Sequence, residues 1–323
     1  MMNEKIFDVA ALGELLIDFT ENGLSEQGNP LLEANPGGAP CNVLAMLTKL
    51  GKKTTFIGKV GKDQFGTQLK KVLEEAGIDT QSLLMDEKVH TTLAFVHTFE
   101  DGDRDFSFYR NPGADMMLKK EEVPMDVISA SRIFHFGTLS STHPGVREAT
   151  RSALAHAKEN GLLISFDPNL REPLWDSLED ARREISYGMG FCDILKISDN
   201  EMEFMTGTDD YTAGVKKLRE SYDIPLILVT LGKGGSRAYY KDQMVEAAPF
   251  LQDNTIETTG AGDTFCASIL NYVLEHGLKD LSPEQLKEML TFANAAASLI
   301  TTRKGALRVM PAKEEVQKFI QSF

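Results

Sequence analysis

Metal-ligating and disulfide-forming patterns are missing from this chain of 323 residues. Its three cysteines, Cys41, Cys192 and Cys266, form no CxxC pair or Cys/His ligand spacing, and its six histidines form no HExxH motif. All three cysteines lie in apolar segments, where buried thiols are the expected state. A zinc enzyme and a disulfide framework are therefore not expected.

Long apolar runs and clustered positive charge are missing too. No stretch of about eighteen apolar residues occurs, so no membrane-spanning segment is predicted. The net charge is −14, from 48 acidic and 34 basic residues. This charge argues against nucleic acid as a partner, because phosphate backbones bind clustered cations. The first residues, MMNEKIFDVAALGE, lack the pattern of a cleavable signal, so a cytoplasmic location is expected.

Two common nucleotide-binding fingerprints are also absent. The sequence contains no GxxxxGK[ST] loop, which argues against a P-loop protein. No GxGxxG follows the first predicted strand, so a nicotinamide dehydrogenase lacks its usual fingerprint. The composition, with 42% hydrophobic and 25% charged residues, is nevertheless that of an ordinary globular enzyme.

Apolar runs of strand type alternate with amphipathic helical patterns along most of the chain. Strands are predicted at 8–13, 54–60, 132–137, 162–167, 193–198 and 225–232. Helices are predicted at 42–50, 64–76, 144–159, 180–188, 211–220, 263–276 and 283–301. Buried strands that alternate with helices indicate an α/β body with a mainly parallel sheet covered on both faces.

Two extended segments interrupt this alternation. The segment 91–110 contains two strand patterns around Asp101-Gly102, a strong hairpin signal, and the segment 15–32 is extended with turn residues. Neither segment buries much surface alone, so we expect the two to pair in a small antiparallel sheet. Such a sheet is suited to act as a lid over a site at the strand ends.

The segment TTGAGDTF (258–265) carries the strongest chemical signal. Gly260, Ala261 and Gly262 permit a tight turn at the start of an apolar helix, where unpaired amides attract phosphate. Asp263 adds a carboxylate at the same place, which is unfavourable beside phosphate unless the carboxylate takes part in the reaction. It could accept a proton from an attacking hydroxyl. A helix-capping role for Asp263 is compatible with that function.

A second polar cluster is predicted in the N-terminal part of the chain. Gly37 and Gly38 precede an apolar helix that begins near Asn42, and Asp18 follows an apolar run. A turn, a helix cap and a strand-end turn former would explain these residues structurally. Alternatively, the glycine amides, Asn42 and Asp18 bind the hydroxyls of a small polyol.

The order and spacing of these motifs resemble the ribokinase-like (pfkB) carbohydrate kinases, and among them most closely the fructokinases. The similarity includes GELLIDF (13–19), GGAPCNVLAMLTKLG (37–51), GKVGKDQFG (58–66), FSFYRNPGADMML (106–118), FDPNLREPLW (166–175), KISDNEMEFMTG (196–207), VTLGKGG (229–235), TTGAGDTF (258–265) and ANAAASLITTRKGA (293–306). The resemblance implies one kinase domain over 1–323, with a Rossmann-like three-layer body. It also implies a lid formed by about 14–35 and 91–112, and ATP-dependent phosphorylation of a sugar hydroxyl.

The resemblance further implies roles for individual residues. Asp263 falls on the catalytic base, and Gly260, Ala261 and Gly262 fall on the anion hole for the transferred phosphoryl group, as phosphoryl transfer demands. The implied sugar-binding residues are Asp18, Gly37, Gly38, Asn42 and Arg110. The implied nucleotide-binding residues are Arg171, Lys196, Thr230, Gly232, Gly235 and Asn294. Salt-bridged or surface arginines, a strand-end lysine and turn glycines are the structural alternatives for several of them.

Two acidic residues are implied as cation sites. Glu201, in the segment SDNE, aligns with a family position that organises magnesium through water, and magnesium often keeps such waters. Glu257 occurs where the family usually has an aspartate beside a monovalent-cation site. Val309 lies near a second position of that site and has no polar side chain. A requirement for potassium is therefore left open.

The sequence thus predicts an ATP- and magnesium-dependent sugar kinase, most similar to enzymes that make fructose 6-phosphate. Other substrates stay open: 2-keto-3-deoxygluconate, whose carboxylate Arg110 could bind, ribose, or a riboside. A sugar- and nucleotide-binding regulator without catalysis is disfavoured, because GAGD and Asp18 are intact. The exposed face of a small sheet commonly needs cover, so a homodimer through the lid is also expected.

Overall fold

The computed structural model describes residues 5–98 and 104–323. The strands within these residues are β1 (Phe7–Leu12), β2 (Leu16–Leu24), β3 (Pro30–Gly37), β4 (Thr54–Gly61), β5 (Leu83–Asp86), β6 (Leu93–Thr98), β7 (Arg104–Tyr109), β8 (Ser131–Phe136), β9 (Leu163–Phe166), β10 (Ile194–Ser198), β11 (Leu226–Thr230), β12 (Ser236–Tyr240) and β13 (Gln243–Ala247). The helices are α1 (Ala39–Lys49), α2 (Gln64–Glu75), α3 (Met125–Ser129), α4 (Pro144–Glu159), α5 (Leu178–Met189), α6 (Asp199–Thr206), α7 (Tyr211–Ser221), α8 (Ala261–His276), α9 (Pro283–Ile300) and α10 (Lys313–Gln321).

Nine strands form the central sheet, in the order β13-β12-β11-β10-β9-β8-β1-β4-β5. The strands from β11 to β5 are parallel, and only β12 runs antiparallel to them, since β13 is antiparallel to β12 and so returns to the common direction. The chain first winds from β1 towards β5 and then returns to the other side of β1 at β8. This reversal creates a crevice at the carboxyl ends of β1 and β8, the place where open α/β sheets bind ligands.

Alternate side chains of each strand point to opposite faces of the sheet, and each face is covered by helices. In β1, for example, Val9 and Ala11 pack with residues of α1, α2, α8, α9 and α10, whereas Ala10 and Leu12 pack with residues of α3 to α7. Both faces of the strand are therefore apolar, as a sheet between two helical layers requires. The predicted three-layer α/β body with a mainly parallel sheet is confirmed.

The second sheet has four strands, in the order β3-β2-β6-β7. It consists of two antiparallel hairpins, β2–β3 and β6–β7, joined by parallel pairing of β2 with β6. The prediction of a wholly antiparallel sheet was therefore wrong. The two central strands each open a hairpin and leave the body in the same direction, so they meet in parallel. The predicted turn at Asp101-Gly102 lies outside the described residues.

Most predicted elements agree with the structure to within three residues at each end. The elements that the periodicity did not predict are short or lie at an edge: β5, β12, β13, α3, α6 and α10. Among the helices of the described part of the chain, none is long and apolar enough to cross a membrane.

Candidate active site

A cavity of about 360 Å³ lies between the four-stranded sheet and the carboxyl edge of the parallel strands. Its wall contains Asp18 and Thr20 from the small sheet and Glu14 from the crevice after β1. The opposite wall comes from the start of α8 and the preceding segment 257–260. The cavity therefore brings together the two polar clusters that the sequence places about 220 residues apart.

Asp263 lies in the first turn of α8 and faces this cavity. Its Oδ2 accepts a hydrogen bond of 2.8 Å from Nδ2 of Asn42. The Oδ1 atom of Asn42 is buried and has no hydrogen-bond partner among the described residues. A buried acceptor without a partner is costly, so this atom is suited to receive a hydroxyl from a ligand.

The helix start beside Asp263 is built on glycine. Gly260 caps α8 with a φ of 77°, in the left-handed region, and a Cβ there would lie 2.7 Å from Cβ of Ala306. Only glycine meets both conditions without strain. The first amides of α8 are thus presented at the junction of the cavity wall, where a helix N-terminus attracts anions.

Burial raises the pKa of Asp263, while the hydrogen bond from Asn42 and the charges of Lys196 and Arg171 oppose the rise. The carboxylate is therefore less solvated than a surface aspartate and a stronger proton acceptor. Brønsted behaviour favours such a base for proton transfer near neutral pH.

Positions 37 and 38 require glycine because Asp18 and Glu14 lie directly against the backbone there. A Cβ at Gly37 would overlap Oδ2 of Asp18, and a Cβ at Gly38 would overlap the carbonyl oxygen of Glu14. Gly38 also has a φ of 129°. The Glu14 side chain in turn accepts a 2.8 Å hydrogen bond from the amide of Ala39, at the start of α1. These contacts hold Asp18 and Glu14 against the same loop.

Both acids carry raised pKa values. Burial raises the pKa of Asp18 to about 7, against the opposing charge of Arg171, and Glu257 and Asp263 add to the rise. Burial likewise raises the pKa of Glu14 to about 7, although hydrogen bonds from its own amide and that of Ala39 oppose the shift. An acidic cavity of this kind gains stability when ligand hydroxyls donate to its carboxylates.

Lys196 and Asp167 form a buried ion pair next to the anion-binding helix start. Nζ of Lys196 lies 3.1 Å from Oδ1 of Asp167, and a Cβ on Gly262 would be 3.3 Å from the same Nζ. Burial disfavours the ammonium, but the carboxylates of Asp167 and Glu201 outweigh it and raise the pKa of Lys196. Lys196 therefore stays charged where a transferred phosphoryl group would pass. With Arg171, it lines the first cavity and not the second.

Glu201 is buried in the first turn of α6, and the amides of Leu170 and Ser198 each donate a 2.8 Å hydrogen bond to one of its carboxylate oxygens. Within the part of the chain that the structure describes, no group of three or more Asp, Glu, His or Cys side chains is arranged as a metal site. The residues present fit a magnesium ion that is carried mainly by phosphates and water, near the negative charge of Asp167 and Glu201.

A second cavity of about 320 Å³ lies on the other side of the 258–262 segment. Thr258 and Gly262 line both cavities, so this segment separates them. Four of the predicted nucleotide-binding residues lie in the second cavity: Thr230, Gly232, Gly235 and Asn294. The Asn294 amide is already bonded to Ser236, Ala247 and Ala248, so it shapes the wall through these contacts.

Arg110 is not among the described residues that line the first cavity, contrary to its predicted contact with substrate. Its guanidinium is buried and bound to Asp115, Thr142 and the carbonyl of Leu139. The physical reason is Asp115, whose negative charge holds the arginine inside the protein. The salt-bridge alternative describes this position correctly.

Glu257 lines the first cavity, and its Oε1 accepts a 2.9 Å hydrogen bond from the amide of Gly305. The carboxylate thus ties the segment before α8 to the loop that follows α9. Its role in binding a monovalent cation stays a prediction.

Several residues of the site were not predicted. Glu14 and Asn169, which has a φ of 47°, line the first cavity, and Asp167 binds Lys196 of its wall. Glu14 lies two residues after the end of β1, and Asp167 directly follows β9. An acidic residue after a buried parallel strand was the available signal for both.

A stability measurement tests the raised pKa of Asp18. Its ordinary value is 3.8, and the folded value is about 7. Between these two pH values, Asp18 is protonated in the folded protein and ionised in the unfolded chain. The stability that comes from this bound proton is present at low pH and is lost as the pH rises through about 7. We expect the Asp18→Asn variant to gain about 1–3 kcal/mol in the free energy of unfolding relative to the parent protein, between about pH 4 and pH 8. Urea unfolding at several pH values measures the difference, and a difference independent of pH would contradict the assignment.

The comparisons with known proteins agree with this geometry and confirm the predicted family. The model of the pfkB family carbohydrate kinases matches residues 7–313. Probable fructokinase-2 of Arabidopsis thaliana is 42% identical over 319 residues, which cover 97% of this chain and 95% of that protein. A fructokinase from Xylella fastidiosa with bound ATP has a TM-score of 0.89 at 31% identity, covering 98% of both chains.

A fructokinase from Vibrio cholerae O395, in a form with fructose, ADP and calcium ion bound, is similar at a TM-score of 0.87 and 29% identity. The similarity covers 98% of this chain and 100% of the Vibrio cholerae chain. The similarity thus spans the body, the small sheet and both cavities. This chain belongs to the pfkB family of carbohydrate kinases.

Proposed function

We propose that this protein is an ATP-dependent fructokinase that phosphorylates the 6-hydroxyl of D-fructose. The observation that carries the proposal is the position of Asp263, which faces one cavity from the first turn of a helix whose start also borders a second cavity. A sugar in the first cavity and a nucleotide in the second would meet at this helix start. The fructokinase relatives support fructose as the sugar.

Asp18 and Asn42 bind the sugar in this proposal. The Asp18 carboxylate accepts hydrogen bonds from two hydroxyls, and the unpaired Oδ1 of Asn42 accepts another. Nδ2 of Asn42 meanwhile holds the Asp263 carboxylate, so the residue that binds the sugar also orients the base. The reacting hydroxyl is thereby placed against the base, which lowers the entropic cost of the reaction.

The transfer is a displacement at the γ-phosphorus. Asp263 accepts the proton of the sugar hydroxyl while the hydroxyl oxygen forms a bond to the γ-phosphorus. The bond between that phosphorus and the β–γ bridging oxygen breaks at the same time. ADP leaves with the electron pair of that bond. The amides at 260–263 and the Lys196 ammonium stabilise the charge on the moving phosphoryl group.

In this proposal the nucleotide is bound in the second cavity, against Thr230, Gly232, Gly235 and Asn294. Arg171 binds its phosphates from the first cavity. Magnesium, when bound, neutralises charge on the phosphates, and Glu201 with Asp167 would support its water shell. Gly232 and Gly235 have φ values of 51° and 87°, a left-handed backbone that glycine adopts without strain. Potassium at Glu257 stays a separate prediction.

The charge of the cavity favours a neutral sugar over a keto acid. Glu14, Asp18, Glu257 and Asp263 all contribute carboxylates to the wall. Arg110, the residue that could bind a substrate carboxylate, is held by Asp115 and does not belong to the described lining. A negatively charged substrate would therefore meet these four carboxylates against two cations of the described lining, Arg171 and Lys196, and like charges at close range cost binding energy.

A coupled assay of ADP release tests the substrate. We expect D-fructose to give a kcat/KM at least about 100-fold above those of 2-keto-3-deoxygluconate, ribose and a purine riboside, since mismatched polar groups in a buried site cost several kcal/mol. The product with fructose should be the 6-phosphate. Absence of turnover with fructose, with turnover of another sugar, would overturn the choice of substrate; binding of sugar and ATP without any product would instead support the regulator.

We also propose a homodimer through the small sheet, as expected from its architecture. Leu24, Leu31 and Leu32 of the β2–β3 hairpin and Tyr109 of β7 are all more than 40% exposed. Four large apolar side chains on one small sheet are more than an isolated exposed residue and resemble an interface. A cytoplasmic location likewise stays a prediction.

Sedimentation velocity tests the dimer. The parent protein should sediment as a dimer of about twice 35.7 kDa, and Leu32→Glu should shift it towards the monomer because a charge would enter the apolar contact. Met244→Glu on β13, at a similarly exposed apolar position of the other sheet, is the matched control and should stay dimeric. A monomeric parent protein would contradict the proposal.

A further inference from the structure

Two sequence motifs have no place in the chemistry described so far. They are GKVGKDQFG (58–66) and FSFYRNPGADMML (106–118). The structure brings both to the base of the β6–β7 hairpin, where its two strands leave the body. Thr91 and Thr92 precede β6, and Arg110 follows β7.

Asp115 binds both ends of this hairpin with its two carboxylate oxygens. Its Oδ1 accepts a 2.5 Å hydrogen bond from Oγ1 of Thr92, and its Oδ2 accepts a 2.8 Å hydrogen bond from Nε of Arg110. The carboxylate and guanidinium are almost fully buried, with side-chain exposures of 2% and 3%. A buried, charge-assisted network with every oxygen used fixes the positions of its members.

Arg110 continues the network into the body. Its Nη1 donates to Oγ1 of Thr142 at 2.7 Å, and its Nη2 donates to the carbonyl oxygen of Leu139 at 3.0 Å. Leu139 itself lines the sugar cavity. The guanidinium therefore joins the base of the hairpin to the loop after β8.

Thr92 continues the network in the other direction, towards Asp18. Its carbonyl oxygen accepts a hydrogen bond of 3.2 Å from the amide of Ile17, the residue before Asp18 in β2. Asp18 is in turn paired with Ala94 of β6 in the parallel register. The placement of the sugar-binding carboxylate thus depends on where β6 begins.

The first motif supplies a second attachment at the same point. Asp63 accepts hydrogen bonds of 2.8 Å from the amide and from Oγ1 of Thr91, and it also caps α2 through the amide of Gly66. The base of β6 is therefore held by two carboxylates from different parts of the body. Beyond this base, the hairpin carries Val96 and Phe108 into the cavity wall.

We propose that Asp115, through Thr92 and Arg110, is a positioning residue that sets the sugar-facing geometry of Asp18, Val96 and Phe108. It acts on sugar binding and not on nucleotide binding. The described lining of the second cavity contains no residue of β2, β3, β6 or β7. This inference rests on the proposed sugar kinase activity and adds a residue that contacts neither substrate.

The test compares four variants: Thr92→Ala, Thr92→Ser, Asp115→Asn and Glu184→Gln. Thr92→Ala removes the hydroxyl that binds Asp115, and Thr92→Ser restores it. Glu184 is the matched control for Asp115, because it is a buried carboxylate bonded to Arg151 but lies on α5, outside both cavities. Steady-state constants for sugar and ATP, and ATP hydrolysis without sugar, are measured for each.

Thr92→Ala and Asp115→Asn should raise the KM for sugar about tenfold or more, with the KM for ATP within about twofold of the parent value. Hydrolysis of ATP without sugar should rise relative to sugar phosphorylation, because a displaced hairpin admits water. Thr92→Ser should restore the parent constants. Glu184→Gln should lower the melting temperature without changing either KM.

An unchanged sugar KM in Thr92→Ala, with folding intact, would overturn the proposal even if Asp115→Asn fails to fold. Equal losses for sugar and ATP would also overturn it, because they indicate a general structural defect. If the parent protein phosphorylates no sugar, the proposed function is wrong. Titration of sugar binding to the parent protein and to Thr92→Ala then tests the positioning role separately.

Discussion

The hydrogen bond between Asn42 and Asp263 is the contact on which the site depends. It joins the first turns of two helices, α1 and α8, whose residues are separated by 221 positions in the chain. Both helices pack on the same face of the central sheet, in one apolar cluster. The core therefore fixes the distance between the Asn42 amide and the Asp263 carboxylate, which we propose as sugar ligand and base, and neither residue can move far without disturbing that core.

An acidic protein that handles phosphate needs local compensation, and the structure provides it over a few ångströms. The net charge of −14 is unfavourable for ATP in general. At the junction of the two cavities, however, the start of α8, the buried Lys196 and Arg171 converge. On the sugar side, carboxylates with raised pKa values face the cavity. The site is thus divided into a hydroxyl-binding half and an anion-binding half.

Much of the fold was predictable because strands and helices have different periods. Alternation of 4–8 apolar residues with amphipathic stretches located the strands β1, β4, β8, β9, β10 and β11. The parallel contact of β2 with β6 was not predictable, since it depends on two hairpins separated by about 70 residues. The strands β12 and β13, at one end of the sheet, are short and partly polar, so their pattern resembles that of a loop.

The site was predictable where residue type alone carries the chemistry, and less so where geometry decides. Asp263, Asp18 and Asn42 do meet in one cavity, as their motifs indicated. Arg110 does not reach it, because the decisive partner, Asp115, lies five residues further on and no local pattern identifies the pair as buried. Glu14 faces the cavity because the glycine pair folds against it, a contact that only the tertiary structure reveals.

The most direct test of the account is the turnover of Asp263→Asn. The amide keeps the size of the side chain and can still accept the hydrogen bond from Asn42, so folding and sugar affinity should be preserved. We expect a fall in kcat of about 10²–10⁴-fold, because a general base contributes that much to a proton transfer. Titration calorimetry should give a sugar affinity close to that of the parent protein. A folded Asp263→Asn variant with the turnover of the parent protein would contradict the assignment of Asp263 as the base.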